Sequence, residues 1–404
     1  MKAIRYAMSL LIVLGMLAAP HALSAQDGTP PLDPERLTVQ EVQTFELLAG
    51  PRGTGAFLAP SGEVFAHLDG RDPICLYSKA GVRQKCLDLP SEARNLHVDS
   101  LRWSPDSTHL IFALDFLRLL GSADLFLVDF TNDRITNLTD DGVGRIPIFS
   151  SSGDAPKVKT NIELSPKWLA ADRIAFINYP FDNGAGNAFQ LGGSELVTLT
   201  LGDDSRTVIG TPSEPSGIPN YILAVSADER YFAYNFLLPG DNANNGLWLL
   251  DAESGLKRQL FRARFDYQVP TEIVFSSDGK WLLWGDGTLF YDPSASSPEN
   301  SSWRVVSVEG GTPTLIDPER LVIAAGWLPN SSALLYLVRD IKNRENSGLY
   351  ITSEAGQPGR QLLAGEFILP TANQQQALFI SAQNSLLVTV IGRPDTRLIT
   401  LGVE

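Results

Sequence analysis

The chain has 404 residues, with 32 Lys and Arg against 46 Asp and Glu, a formal net charge of −14, 44% hydrophobic residues and only two cysteines. This length suits one large repeat domain or two ordinary ones. The acidic balance repels phosphate backbones, so nucleic acid is not an expected partner, and the bland reading of the charge is solubility outside the cell.

In chain order, Lys2 and Arg5 precede an apolar stretch from Ala7 to Ala19, and small residues up to Ala25 follow. That pattern predicts an export signal over residues 1–25. The apolar run is shorter than the ~20 residues a bilayer span needs, and no later segment is apolar enough to span, so no transmembrane segment is expected after cleavage. Residues 26–36 are polar and proline-rich, as in an exposed linker. Losing Lys2 and Arg5 makes the remaining chain two units more negative. Val42 to Leu48 is a short apolar segment that fits either a strand or a helical face.

Cys75 and Cys86 lie in PICLYSKAGVRQKCLDLP. A two-residue turn at Ala80-Gly81 pairs Ser78 with Arg83, Tyr77 with Gln84, Leu76 with Lys85 and Cys75 with Cys86. Opposed strand residues are within disulfide reach, and an exported chain meets oxidising conditions, which predicts a bridge. Two buried thiols are the alternative.

The stretch LRWSPDSTHLIFALDFLRLLGSADLFLVDFTNDRITNLTDD, from Leu101 to Asp141, holds four short apolar runs separated by turn residues. It reads as a four-stranded antiparallel meander. Its Ser104-Pro105-Asp106 turn recurs in altered form at Ala59-Pro60-Ser61-Gly62, Ser165-Pro166-Lys167, Ser226-Ala227-Asp228, Ser276-Ser277-Asp278-Gly279, Leu328-Pro329-Asn330 and Ser381-Ala382-Gln383-Asn384. Each is followed by a strand that is apolar at consecutive positions, such as Leu110-Ile111-Phe112 or Leu334-Leu335-Tyr336. A strand apolar on both faces must be covered on both, which favours radially stacked blades over a two-layer sandwich.

The Trp-Ser-Pro-Asp turn, the following apolar strand, Asp-Leu-Phe-Leu-Val-Asp and the ending Ile-Thr-Asn-Leu-Thr resemble the WD40-like propeller repeats of TolB and of the propeller domains of prolyl-oligopeptidase-type proteins. The resemblance covers residues from Leu101 to Thr139 best and is fair around Ser226 and Ser276. It implies a β-propeller without the usual α/β or hydrolase neighbour, and it carries no function, since this fold hosts many.

The expected fold is therefore all-β: a seven-bladed β-propeller of four-stranded antiparallel blades over residues 37–404. Six blades with an extra hairpin is the alternative. Ala377 to Ser381, Leu386 to Ile391 and Arg397 to Leu401 give the last blade three strands. Val42 to Leu48 is assigned as its fourth, closing the ring.

No Gly-x-Ser-x-Gly elbow occurs, and no histidine has ligand spacing, so neither a serine triad nor a zinc site nor any cofactor is expected. The leading functional expectation is an exported, non-catalytic binding or scaffold protein, whether periplasmic, cell-surface or extracellular, with a protein or extracellular polymer as partner. The alternative is an extracellular hydrolase or lyase with acidic residues at the central tunnel. The Ser-Pro-Asp turns and the third-to-fourth-strand turns fall on one face. Long connections at 115–123, 180–194, 237–246 and 339–347 gather on the other, where binding residues tend to sit. Arg118, Phe181, Asp182, Phe189 and Asp241 are the candidate binding residues. Asp182 and Asp241 also sit among oxygen-rich loop residues of the kind calcium uses, but neither loop has a full calcium-loop pattern.

Overall fold

The computed structural model describes residues 33–46, 55–68, 73–93, 96–114, 123–142, 159–182, 193–212, 222–237, 243–265, 268–286, 301, 303–370, 376–391 and 395–403, with backbone only at 99, 181 and 182. They form seven separate four-stranded antiparallel sheets. Blade one is β2 (Gly55–Leu58), β3 (Val64–Leu68), β4 (Ile74–Ser78) and β5 (Arg83–Leu87). Blade two is β6 (Arg102–Trp103), β7 (His109–Ala113), β8 (Leu125–Asp129) and β9 (Arg134–Asn137). Blade three is β10 (Lys159–Ala170), β11 (Arg173–Asp182), β12 (Glu195–Thr200) and β13 (Arg206–Gly210). Blade four is β14 (Leu223–Val225), β15 (Tyr231–Phe236), β16 (Gly246–Asp251) and β17 (Lys257–Arg262). Blade five is β18 (Pro270–Phe275), β19 (Trp281–Asp286), β20 (Trp303–Ser307) and β21 (Thr314–Leu315). Blade six is β22 (Val322–Trp327), β23 (Leu334–Val338), β24 (Gly348–Thr352) and β25 (Arg360–Ala364). Blade seven combines β26 (Phe367–Ile368), β27 (Ser385–Val390) and β28 (Thr396–Val403) with β1 (Leu37–Phe45).

The closing strand is thus the expected one, although it spans Leu37–Phe45 instead of Val42 to Leu48 and pairs antiparallel with β28 from Leu37↔Val403 to Phe45↔Thr396. The seam is apolar: Ala56, Leu58 and Phe65 of blade one pack on Leu387 and Leu398 of blade seven, with Phe45 against them. Phe45 and Phe65 rings lie 5.5 Å apart. Burial of these side chains covers the apolar blade faces that an open ring would leave in water.

The repeated turns fold through their own side chains. Ser104 Oγ donates to Asp106 at 2.5 Å and accepts the His109 N–H at 2.9 Å. Ser226 with Asp228 and Tyr231, and Ser276 with Asp278 and Trp281, repeat both bonds. The residue after the acid takes positive φ, as at Ser107, Glu229 and Gly279, which reverses the chain within four residues. All three serines are buried, so their hydroxyls need these partners.

Three expectations are corrected. Ser165-Pro166-Lys167 is no turn; Leu164 pairs with Ile177 and Lys167 with Ala175, so Ser165 and Pro166 form a bulge in β10. Ser165 Oγ accepts the Leu223 N–H of blade four instead of stabilising a turn of its own, and the reversal falls at 171–172. In blade one Tyr77 pairs with Arg83, not Gln84, because a bulge interrupts the register before the turn. The inner strand of blade seven is Phe367–Ile368, not Ala377 to Ser381. Leu378 instead donates its N–H to the Ala325 carbonyl of blade six. Cys75 and Cys86 are paired and bonded as expected.

Candidate functional site

Each blade presents its first strand to the ring axis, and charged residues meet there. Arg102 of β6 donates from Nη2 to Glu272 Oε2 of β18 at 3.2 Å, and Lys167 Nζ of β10 lies 3.4 Å from Glu272 Oε1. Blades two and five are three steps apart in a ring of seven, so inner-strand side chains from them meet only across the middle. The trio therefore bridges the channel. Glu272 is buried, and burial followed by the neighbouring Arg102 lowers Lys167 to about 8, with Glu272 opposing the shift. The bulge at Ser165-Pro166 immediately precedes Lys167, and bulges re-aim the side chains beside them.

Tryptophans fix the strands that carry these groups. Trp103, Trp168 and Trp327 each donate from Nε1 to an inner-strand carbonyl of the preceding blade, those of Phe57, Arg102 and Val274, at 2.9, 3.0 and 3.2 Å. The acceptor in every case lies two residues before that blade's turn motif. Arg102 is thus anchored through its own carbonyl while its side chain crosses the axis.

The long-connection face is defined by antiparallel order: first-to-second and third-to-fourth turns lie on one face, and the remaining connections on the other. In blade three β10 and β11 run beyond the rest of their sheet. The last pair of β11 with β12 is Asn178↔Glu195, whereas β10 and β11 continue from Ile162↔Tyr179 to Lys159↔Asp182. The result is a two-stranded ribbon four pairs long, ~13 Å by strand rise. Asp141, which follows blade two, accepts the Asn161 N–H and the Thr160 hydroxyl at the ribbon's side. On the same face the 339–347 connection is held by Asp340, whose carboxylate accepts N–H bonds from Lys342, Asn343 and the Asn346 side chain, leaving Ile341 exposed.

At the ribbon's base the interface of blades two and three encloses a polar pocket. Glu163 on β10 is fully buried, and neither of its carboxylate oxygens has a hydrogen bond of full geometry, although the Thr139 hydroxyl lies close enough to favour its ionised form. Burial and the neighbouring Asp124 carboxylate push Glu163 up to about 8, against the pull of Arg206. Burial likewise pushes Asp124 up to about 6, although Asn137 Nδ2 donates to it at 2.7 Å.

Of the predicted binding residues, Phe181 and Asp182 lie at the end of the ribbon by backbone pairing, opposite Thr160 and Lys159. Their side chains, and Arg118, Phe189 and Asp241 altogether, lie outside the described residues. Sequence reasoning missed Arg102, Lys167, Glu272, Asp124 and Glu163. Charged residues inside otherwise apolar inner strands, as in Thr271-Glu272-Ile273, were the signal for Arg102, Lys167, Glu272 and Glu163; Asp124, just before β8, had none.

No family model matches the chain, and no curated protein does. Solved structures do resemble it. An oligogalacturonate lyase in complex with manganese shares 13% identity, with 89% of this chain and 91% of that one covered at a TM-score of 0.51. TolB from Acinetobacter baumannii shares 16% identity at a TM-score of 0.38, covering 63% of this chain; the chain spans about half, 52%, of that TolB. The Cps50 (Swd1) β-propeller domain from Myceliophteria thermophila shares 12% identity at a TM-score of 0.49, with 89% and 99% covered. The seven four-stranded blades make the chain a β-propeller. At these identities the likeness concerns fold alone.

Proposed function

We propose that this is an exported propeller that binds a protein or extracellular polymer through its long-connection face, with the blade-three ribbon as a central contact. The observation that carries the reading is the ribbon itself: four strand pairs built beyond the blade they belong to. Connection alone does not require such length, and projecting backbone over a rigid ring is a common setting for recognition. The pre-folded 339–347 connection supports it, since ordering costs at such a loop are met before a partner arrives.

Export fits the leader-like start of the sequence and the Cys75–Cys86 bridge. The second reading, an acid-assisted hydrolase or lyase at the tunnel, gains less. The described groups that meet at the axis are two cations and one carboxylate, whereas glycoside hydrolysis calls for a carboxylate pair.

The test is affinity capture from the native cell envelope and medium with the mature chain, beside a variant in which 180–194 is replaced by a tight turn. Loss of the captured partner at unchanged melting temperature supports the reading. Identical capture by this variant and by variants shortened at 115–123, 237–246 and 339–347 overturns it. Mass spectrometry of the exported protein should place its first residue at Gln26.

A further inference from the structure

Buried side-chain oxygens without hydrogen bonds are rare, and each calls for an explanation. Between blades two and three four of them come together: Asp124 Oδ1, Glu163 Oε1 and Oε2, and Asn178 Oδ1. Their convergence follows from backbone pairing. Glu163 and Asn178 are directly opposed in the β10–β11 register. The Glu163 N–H donates to the carbonyl of Ala123, the residue before Asp124, at 2.8 Å, and Ala123 bridges to Ile162. Asn178, also more than nine-tenths buried, donates from Nδ2 to Glu195 at 2.9 Å, which fixes the amide so that only its oxygen remains to be satisfied.

The unfilled capacity is therefore acceptor capacity on three residues, in a place where negative charge is in excess. Asp141 and Asp140 act on Asp124, and Asp124 and Asp141 act on Glu163, each disfavouring its ionised form. Among the described residues the cation paired with them is Arg206, whose guanidinium approaches Glu163 at 3.6 Å and whose side chain is 40% exposed. With both carboxylates ionised, a group that completes the pocket is cationic and rich in donors. Among the described residues no group of three His, Cys, Asp or Glu side chains is arranged to hold a metal ion. A primary ammonium group has the matching chemistry: one positive charge and three N–H donors for three acceptor residues.

We propose that this pocket binds a primary ammonium group, its three N–H bonds directed to Asp124, Glu163 and Asn178. Asp124 is partly buried and is the most exposed of the three residues. The ammonium comes from a free alkylamine or from a lysine side chain of a partner, and the pocket's chemistry is the same for both. The site is independent of whether the ribbon tip binds anything.

The experiment is calorimetric titration of the full mature protein with n-propylammonium near pH 8.5, where the amine stays charged and both carboxylates are substantially ionised. Saturable one-to-one binding is expected, weakened roughly tenfold or more in Glu163→Gln and in Asp124→Asn, the loss typical of a missing charge-assisted hydrogen bond. Tetramethylammonium, with equal charge and no N–H donor, should not bind. A blocked tripeptide with a central lysine tells the sources apart: binding at least as tight as propylammonium points to a partner lysine, and absence of peptide binding to a free amine. The proposal is overturned by no saturable propylammonium binding, by equal binding of tetramethylammonium, or by unchanged affinity in both variants while thermal melts show them folded. Tight calcium or manganese binding that Glu163→Gln removes would also overturn it, since the pocket would then be a metal site.

Discussion

Arg360, on the outer strand of blade six, donates from Nη2 to the Leu37 carbonyl at 2.7 Å, a contact between residues 323 positions apart. The same nitrogen reaches the carbonyls of Pro34 and Glu35 at 3.0 and 3.3 Å. One guanidinium thus holds the start of the strand that closes the ring.

Arg360→Ala should lower the melting temperature by about 2 °C, the scale for ~1 kcal/mol of exposed, charge-assisted hydrogen bonding in a chain of this size. Removing residues up to Phe45 should do far more, because Leu37 is fully buried and β28 would lose its partner along its whole length. Thermal denaturation of both variants checks this; an unchanged melting temperature after the truncation would mean that the ring does not depend on β1.

Stability should fall as pH rises through the range set by the pocket carboxyls. Glu163 has its folded value raised from 4.5 to about 8 and Asp124 from 3.8 to about 6. Between the unfolded and folded values the native state holds more protons than the unfolded one, so stability is full below about pH 4 and is lost progressively towards pH 8. Glu163→Gln should flatten that slope, with a gain of the order of a few kcal/mol at pH 8. Urea denaturation across pH 4 to 9 measures it, and an equal slope in variant and parent contradicts the assignment.

The axial trio should respond unequally to its three deletions. Glu272→Gln leaves Arg102 and Lys167 facing each other without their shared carboxylate and should cost roughly 3 kcal/mol. Lys167→Met should be neutral or stabilising, since it removes a buried cation and keeps the Arg102–Glu272 pair. Lys167 also has its folded value lowered from 10.5 to about 8, so the parent should gain stability between those values as pH rises, and Lys167→Met should lose that gain. Equal destabilisation by both variants would argue against a shared carboxylate.

Gly326 offers a check on how blades six and seven meet. A Cβ there would lie 1.9 Å from the Leu378 carbonyl oxygen, which belongs to backbone and does not yield cheaply. Gly326→Ala should therefore destabilise by about 2 kcal/mol or more and loosen that interface, visible as faster amide exchange at Leu378, whose N–H donates to Ala325. A variant as stable as the parent would mean that the chain at Leu378 is free to move away.

The sequence by itself determined what depends on neighbours in the chain. The Ser104, Ser226 and Ser276 turns form because a serine, an acid two residues on and a residue tolerant of positive φ satisfy one another locally. Consecutive apolar residues after each turn required cover on both faces, and a count of strands left one closing segment to find. The Cys75–Cys86 register needed only a hairpin. Tertiary structure decided the rest. Ser165-Pro166 has the turn motif, yet its hydroxyl serves Leu223 on the next blade, and the motif became a bulge. Leu378 was drawn to blade six by the Ala325 carbonyl, so the inner strand of its own blade fell to Phe367–Ile368. Arg102, Lys167 and Glu272 stand on three different blades and met because a ring brings its inner strands to one axis. Asp124 and Glu163 became neighbours only when blade two packed on blade three, and burial there made two ordinary carboxyls hold their protons to higher pH, an effect of desolvation that no local pattern encodes.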